Sequence, residues 1–222
     1  MWGNLNAISY TGKLEALAEF NVENIVHKTL RNDMAKTLDS AAAAQFAAAE
    51  YKAVCTATNS TVFTTDGTAT ATAATNASDK NHRDIIDYMK KNNIPKINGY
   101  YICIGSTNHI RGLYDAFESL IQYTKPELAF NGEVGRYYGC RIIEETNYLS
   151  NTLGSGSQYG EAVYFGDDAV REGVAVPEEV RADVPDDFGR DKAIAWYYLG
   201  GFQRIWSLAT DSEEHIVHVT SA

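Results

Sequence analysis

From Asn21 to Ala53 the chain carries neither glycine nor proline. Within that stretch Val22, Ile25, Val26, Leu30, Met34, Leu38, Ala41, Ala42, Phe46 and Ala49 recur at three- and four-residue spacing. That spacing stacks side chains on one face of an α-helix, leaving the other faces to His27, Lys28, Arg31, Asp33, Lys36 and Asp39. Asn21 can cap the first turn with its side-chain oxygen, and Glu23 puts negative charge near the positive end of the helix dipole. About 28 residues rising ~1.5 Å each make a rod of ~42 Å. The rod is long for its domain, and the Ala-rich stretch Ala41 to Ala49 narrows its second half enough for a neighbouring backbone to approach.

The flanking sequence reads differently. Met1 to Phe20 is broken by Gly3, Asn4, Asn6 and Thr11-Gly12, and is expected to lie extended with few contacts inside its own chain. Met1 is not expected to be the natural start. Cys55 to Ala77 alternates Thr and other β-branched residues on both sides of Asp66-Gly67, a pair that tolerates positive φ. It reads as two exposed strands around that turn, with a Thr/Ala-rich loop as the alternative.

From Asp79 the pattern alternates helix and strand. Asp84 to Pro95 is a helix with Ile85, Ile86 and Met89 inward, stopped by Asn92-Asn93. Tyr100 to Ile104 is a buried strand, and Thr107 to Leu113 starts a helix continued by Leu120 to Tyr123. Arg136 to Glu144, Glu161 to Phe165 and Ala169 to Val176 are strands, and Leu149 to Gly160 is a loop. Asp191 to Ser207 is a long strand, bulged at Gly200-Gly201, and Glu214 to Thr220 is expected to pair antiparallel with it beside the long helix. This is an α+β chain in two lobes: residues 1–78 with 190–222, built on the helix over about 21–53, and residues 79–189.

Charge narrows the function. Nineteen Lys and Arg against twenty-nine Asp and Glu leave a formal charge of −10, which opposes a sequence-independent grip on nucleic-acid phosphates. Cys55, Cys103 and Cys140 are odd in number and lack CxxC spacing, so they read as reduced core thiols. No apolar run reaches the ~18 residues of a membrane span, and no secretion signal opens the chain. A soluble protein folded in a cytoplasm is expected.

No constellation of residues reads as a site. The acid pairs Glu144-Glu145, Asp167-Asp168, Asp186-Asp187 and Glu213-Glu214 are expected on surfaces or turns. His27, His82, His109, His215 and His218 show no metal-ligand spacing. Gly154-Ser155-Gly156 with Gly160 misses the dinucleotide fingerprint by one residue and has no P-loop lysine. Asn59-Ser60-Thr61 and Asn76-Ala77-Ser78 are chance acceptor patterns without a secretion signal. No catalytic residue, cofactor or metal is expected.

Five segments in order carry a resemblance: Leu30 to Phe46, Asp84 to Pro95, Tyr100 to Leu113, Phe130 to Glu144 and Phe188 to Trp196. Together they resemble the major capsid proteins of tailed bacteriophages. The resemblance implies the coat fold shared with herpesviruses, with a spine helix and long strands in a peripheral lobe and an axial lobe around a central sheet. It implies a structural protein without enzymatic activity, self-assembling as pentamers and hexamers into an icosahedral shell. That shell encloses double-stranded DNA without sequence-specific binding, with scaffold, portal or decoration proteins as further partners. The chain is expected in the virion, assembled in the host cytoplasm. The alternatives are the shell of a bacterial nanocompartment and an α/β small-molecule enzyme. Such coat proteins carry an N-terminal arm and an extended loop ahead of the spine helix. Alone, this chain is therefore expected to fold without closing stable shells, and an extension from a full-length relative to restore them.

Overall fold

The computed structural model describes residues 2–114, 133–146, 160–183 and 190–221. Its contacts divide the chain into two compact units, Met1–Ala42 with Glu172–Gln203 and Ala43–Arg171 with Arg204–Ala222. The lobe limits expected at 78/79 and 189/190 do not follow this partition. Residues 51–64 and 216–221 join the sheet of the second unit, because their backbone partners lie there.

The Gly/Pro-free stretch forms one unbroken helix, α2 (Val22–Ala47). The Asn24 N–H donates to Asn21 Oδ1 at 3.0 Å, the cap its sequence offers. The helix stops short of Ala53: Ala49 N–H turns back to the Phe46 carbonyl, and Tyr51 starts a strand. Along its stripe Val22, Val26 and Leu30 are buried, while Met34, Leu38 and Phe46 are half-buried and Ile25 is exposed. Leu30, 2 % exposed, should therefore lose about 2–5 kcal/mol on truncation to Ala. Leu38→Ala should lose less, and equal losses in urea titrations would mean that the stripe does not pack as described.

The first unit packs that stripe on a three-stranded sheet of order β1-β9-β8. β1 is Trp2–Thr11, followed by the short helix α1 (Gly12–Leu17); β8 is Val170–Ala182 and β9 is Asp191–Arg204. Ile194, Trp196 and Tyr198 alternate along β9 onto one face and meet Val22, Val26 and Leu30 there. The expectation for the first twenty residues is corrected. β1 pairs antiparallel with β9 without a register shift, from Trp2 opposite Gly200 to Thr11 opposite Asp191. Its order comes from backbone pairing, which needs no apolar periodicity. The expected bulge is absent from that register too. Gly200 instead leaves room for the Tyr198 ring, whose hydroxyl would lie 2.2 Å from an added Cβ.

The second unit is built on a seven-stranded mixed sheet of order β3-β2-β10-β7-β4-β6-β5. In chain order these are β2 (Tyr51–Ala57), β3 (Ser60–Thr64), β4 (Tyr101–Gly105), β5 (Glu133–Tyr137), β6 (Cys140–Glu144), β7 (Gly160–Phe165) and β10 (Ile216–Ser221). The unit's helices are α3 (Asp79–Lys91), α4 (described over 107–114) and the single turn α5 (Leu208–Asp211). α3 starts at a capping box in which Ser78 and Asn81 satisfy each other's backbone, and it buries Ile85, Ile86 and Met89 as its spacing predicts.

Two further expectations are corrected here. β10 does not pair with β9; it runs parallel to β2 and antiparallel to β7 in the middle of the large sheet. The hairpin joining β2 and β3 turns at Thr58-Asn59, not at Asp66-Gly67. Gly67 does take a positive φ of 76°, but in a turn beyond β3. The helical continuation at Leu120 to Tyr123 and the loop over 149–159 lie outside the described residues.

Candidate functional site

The second unit holds a chain of polar side chains inside its core. His82 from α3, His109 from α4 and Tyr164 from β7 are each no more than 1 % exposed. His82 Nε2 lies 3.4 Å from the Tyr137 carbonyl, which can only accept, so that nitrogen carries the proton and Nδ1 is an acceptor. The Tyr164 hydroxyl, 3.0 Å from His82 Nδ1, therefore donates to it. Its lone pair is left for His109 Nε2–H at 3.3 Å. His109 Nδ1 then accepts from Ser221 Oγ at 3.0 Å. All the bonds point one way, from β10 through α4, β7 and α3 to β5, with both rings neutral.

Burial enforces that neutrality. It pulls the His82 pKa down to about 4 and, reinforced by the neighbouring His82, that of His109 to about 3. It also pushes the Tyr164 hydroxyl well above its ordinary value. Gly160 completes the packing: a Cβ there would sit 2.5 Å from the His109 amide nitrogen. Sealed from solvent, this acid–base chain meets no substrate and serves to join five elements.

The remaining sequence candidates are dispersed. Glu144 accepts from Thr107 at 2.7 Å, and Asp168 pairs with Arg171 in the turn before β8. Asp186-Asp187 lies outside the described residues, as does Gly154-Ser155-Gly156. Glu213 is exposed, but Glu214 corrects the surface reading of the acid pairs: it is buried against Arg204 at 2.5 Å. His27 pairs with Glu23 on the face of α2, His215 binds the Asp167 carbonyl, and His218 binds Glu161 in the core at 2.5 Å. Asn59 sits in the β2–β3 turn, where its carbonyl accepts from Lys80. The three cysteines are buried and free, and burial lifts Cys55 and Cys103 to about 12, which leaves them inert as nucleophiles at neutral pH. Among the described residues no three His, Cys, Asp or Glu side chains converge as a metal site. No described helix is long and apolar enough to cross a membrane.

An open recess lies in the first unit. A groove of about 510 Å³ runs between α2 and β8, with Leu30, Met34 and Trp196 among its lining residues. Lys28 and Arg31 stand on its helical side, Glu178 and Glu179 on its strand side. Trp196 is fixed because its indole N–H donates to Asp33 at 2.9 Å, and Asn6 donates to the same oxygen. Those two bonds, from Asn6 first and Trp196 second, hold the Asp33 carboxyl below its usual range.

Comparison with known proteins locates this architecture. The family described as phage capsid protein matches residues 24–206. No curated protein matches the chain. Among solved structures, the capsid of Ralstonia phage GP4 is similar at a TM-score of 0.67 and 12 % identity, over 99 % of this chain and 72 % of that one. The acid-stable capsid of Helicobacter pylori bacteriophage KHP30 gives 0.70 at 11 % identity, over 99 % and 74 %. A virus-like particle from Pyrococcus furiosus gives 0.52 at 11 % identity, over 98 % and 75 %.

Proposed function

The chain belongs to the phage capsid protein family and is a structural coat protein, and from that premise we propose that it tiles an icosahedral shell around double-stranded DNA. The first unit serves as the peripheral lobe of each subunit and the second as the axial lobe, with pentamers and hexamers as the repeating rings. The observation that carries this reading is the family match over residues 24–206, together with a coat fold that covers 99 % of the chain. The work is structural. The buried histidine–tyrosine chain is closed to substrate, and the net charge of −10 suits a container that must not adhere to the polyanion it encloses. Assembly takes place in the host cytoplasm, before the shell becomes part of the virion.

Negative-stain electron microscopy of the concentrated chain tests the proposal. Five- and six-membered rings or curved lattice fragments are expected, with nuclease-protected DNA rather than protein cargo inside any closed shell formed in cells. A chain that stays monomeric at every concentration, both alone and extended at its N-terminus from a full-length relative, overturns it.

A further inference from the structure

Among the described residues asparagine precedes glycine at one place, Asn98-Gly99. The pair takes φ values of 50° and 86°, which these two residue types tolerate, and forms the tip of a two-residue turn ahead of β4. Ile97 N–H donates to the Tyr100 carbonyl at 2.9 Å and Tyr100 N–H to the Ile97 carbonyl at 3.0 Å, closing the turn. Between them the Gly99 N–H donates to no described acceptor, and the Asn98 side chain makes no described hydrogen bond. Both residues are exposed, and nothing lies within 4 Å of where a Gly99 Cβ would sit.

We propose that Asn98 is a site of spontaneous modification, its side-chain amide giving way to a carboxylate through a ring formed with Gly99. The deprotonated Gly99 nitrogen attacks Asn98 Cγ. A new C–N bond forms there, the bond from Cγ to the side-chain nitrogen breaks, and ammonia leaves with the proton that Gly99 gave up. Water then opens the five-membered imide at either of its carbonyls. Attack at Cγ leaves aspartate in an ordinary backbone; attack at the main-chain carbonyl leaves isoaspartate, whose backbone runs through Cβ and Cγ.

Glycine makes the first step accessible, because a Cβ at position 99 would crowd the attacking nitrogen. Other asparagines lack that opening. Asn81 is fully buried, and its side-chain nitrogen donates to the Ala57 and Ser60 carbonyls and to Thr61. Asn76 precedes the buried Ala77, and Asn59 precedes Ser60. Closing the ring requires the ψ angle of Asn98 to rotate out of the turn. The two Ile97–Tyr100 bonds resist that rotation, and a short exposed turn opens far more easily than the fold as a whole. Either product places a negative charge two residues from the exposed Lys96. Isoaspartate also lengthens the turn by one backbone atom, which puts Ile97 and Tyr100 out of register.

This inference does not depend on the coat-protein reading, and its test does not involve assembly. The purified chain, held folded at about pH 9, is digested and its peptides are mapped by mass spectrometry and by isoaspartyl methyltransferase labelling. The peptide carrying Asn98 should lose its amide and gain the label, faster as pH rises because the attacking nitrogen must be deprotonated. The mapping separates this position from Asn131-Gly132, which lies outside the described residues. The folded rate should fall within about a hundredfold of the rate in guanidinium chloride, whereas dependence on global unfolding would slow it by orders of magnitude more. N98Q, whose longer side chain would have to close a six-membered ring, should leave that peptide unlabelled. An Asn98 that stays intact in the folded chain while converting in denaturant overturns the proposal, and so does equal labelling of the same peptide in N98Q.

Discussion

Acidification should unfold the second unit well before the bulk of its carboxylates are protonated. His82 and His109 are held neutral by burial, with pKa values of about 4 and about 3 against the ordinary 6.5. A folded-state value below the unfolded one makes the unfolded state the better proton acceptor. The stability these rings contribute is complete above pH ~6.5 and is drawn down as pH falls towards 4 and 3, by up to ~1.4 kcal/mol per pH unit for each ring. At pH 5 the two together remove roughly 4 kcal/mol, a large share of the ~5–15 kcal/mol a domain usually has. The surroundings offer little relief. Tyr164 and the Tyr137 carbonyl face the rings, Cys103 lies beside Tyr164, and Asp79 is the one anion acting on His82. An added proton on His82 Nδ1 would force Tyr164 to accept from both rings and leave its own hydrogen only the weak acceptor Cys103 Sγ. Urea titrations from pH 7.5 to 4.5 should show this slope, and His109→Gln should flatten it. Should that variant fail to fold, histidine NMR of the native chain decides: the assigned imidazoles of His82 and His109 should keep neutral shifts down to pH 5. Both titrating near their ordinary value would defeat the argument.

What the sequence disclosed is what local physics sets. The α2 stripe, its Asn21 cap, the inward face of α3 and the two-residue alternation of β9 all come from spacing within one element. The end of α2 did not, because Ala48 to Ala53 suits a narrow helix or a close-packed strand equally well, and the partners β10 and β3 decide for strand from Tyr51 onward. β1 was invisible for the same reason. WGNLNAISYT has no periodicity, and its ten-residue ladder is supplied by a strand some 190 residues away. The parallel pairing of β10 with β2 likewise leaves no mark in either segment.

The polar core was only half hidden. His82 lies three and four residues before Ile85 and Ile86, on the buried stripe of α3, and His109 lies four residues before the buried Leu113 in α4, so both were marked for the interior by their neighbours. Their shared partner Tyr164 was not, since no spacing links positions 82, 109 and 164. Glu214 was misjudged because adjacency to Glu213 suggested a solvated pair. The cation that keeps it inside lies ten residues earlier, before a turn.

That cation supplies the sharpest mutational expectation. Arg204 Nη1 meets Glu214 Oε2 at 2.5 Å, and Nη2 reaches Glu50 Oε1 at 3.5 Å. Glu50 is held in turn by the Ser207 hydroxyl at 2.8 Å and the Leu208 N–H at 2.6 Å, so α5 and β2 share one ionic knot. Burial, with the Glu50 charge behind it, pushes the Glu214 carboxyl up, and Arg204 is the charge that opposes it. Replacing Arg204 with Met removes the counter-charge and keeps the side-chain bulk, which should cost about 3–5 kcal/mol, the usual penalty of a stranded buried ion. The loss should shrink as pH falls. Glu214 has its folded pKa above its unfolded one, so protonation favours the folded state and relieves the variant, the reverse of the histidine effect. Adding Glu214→Leu should recover much of the loss, because an apolar pair of similar volume packs where an isolated carboxylate cannot. A double-mutant cycle by urea unfolding reads all three terms. Additive losses, or a single-variant cost below about 1 kcal/mol, would show that the knot is solvated and contributes no more than an ordinary surface pair.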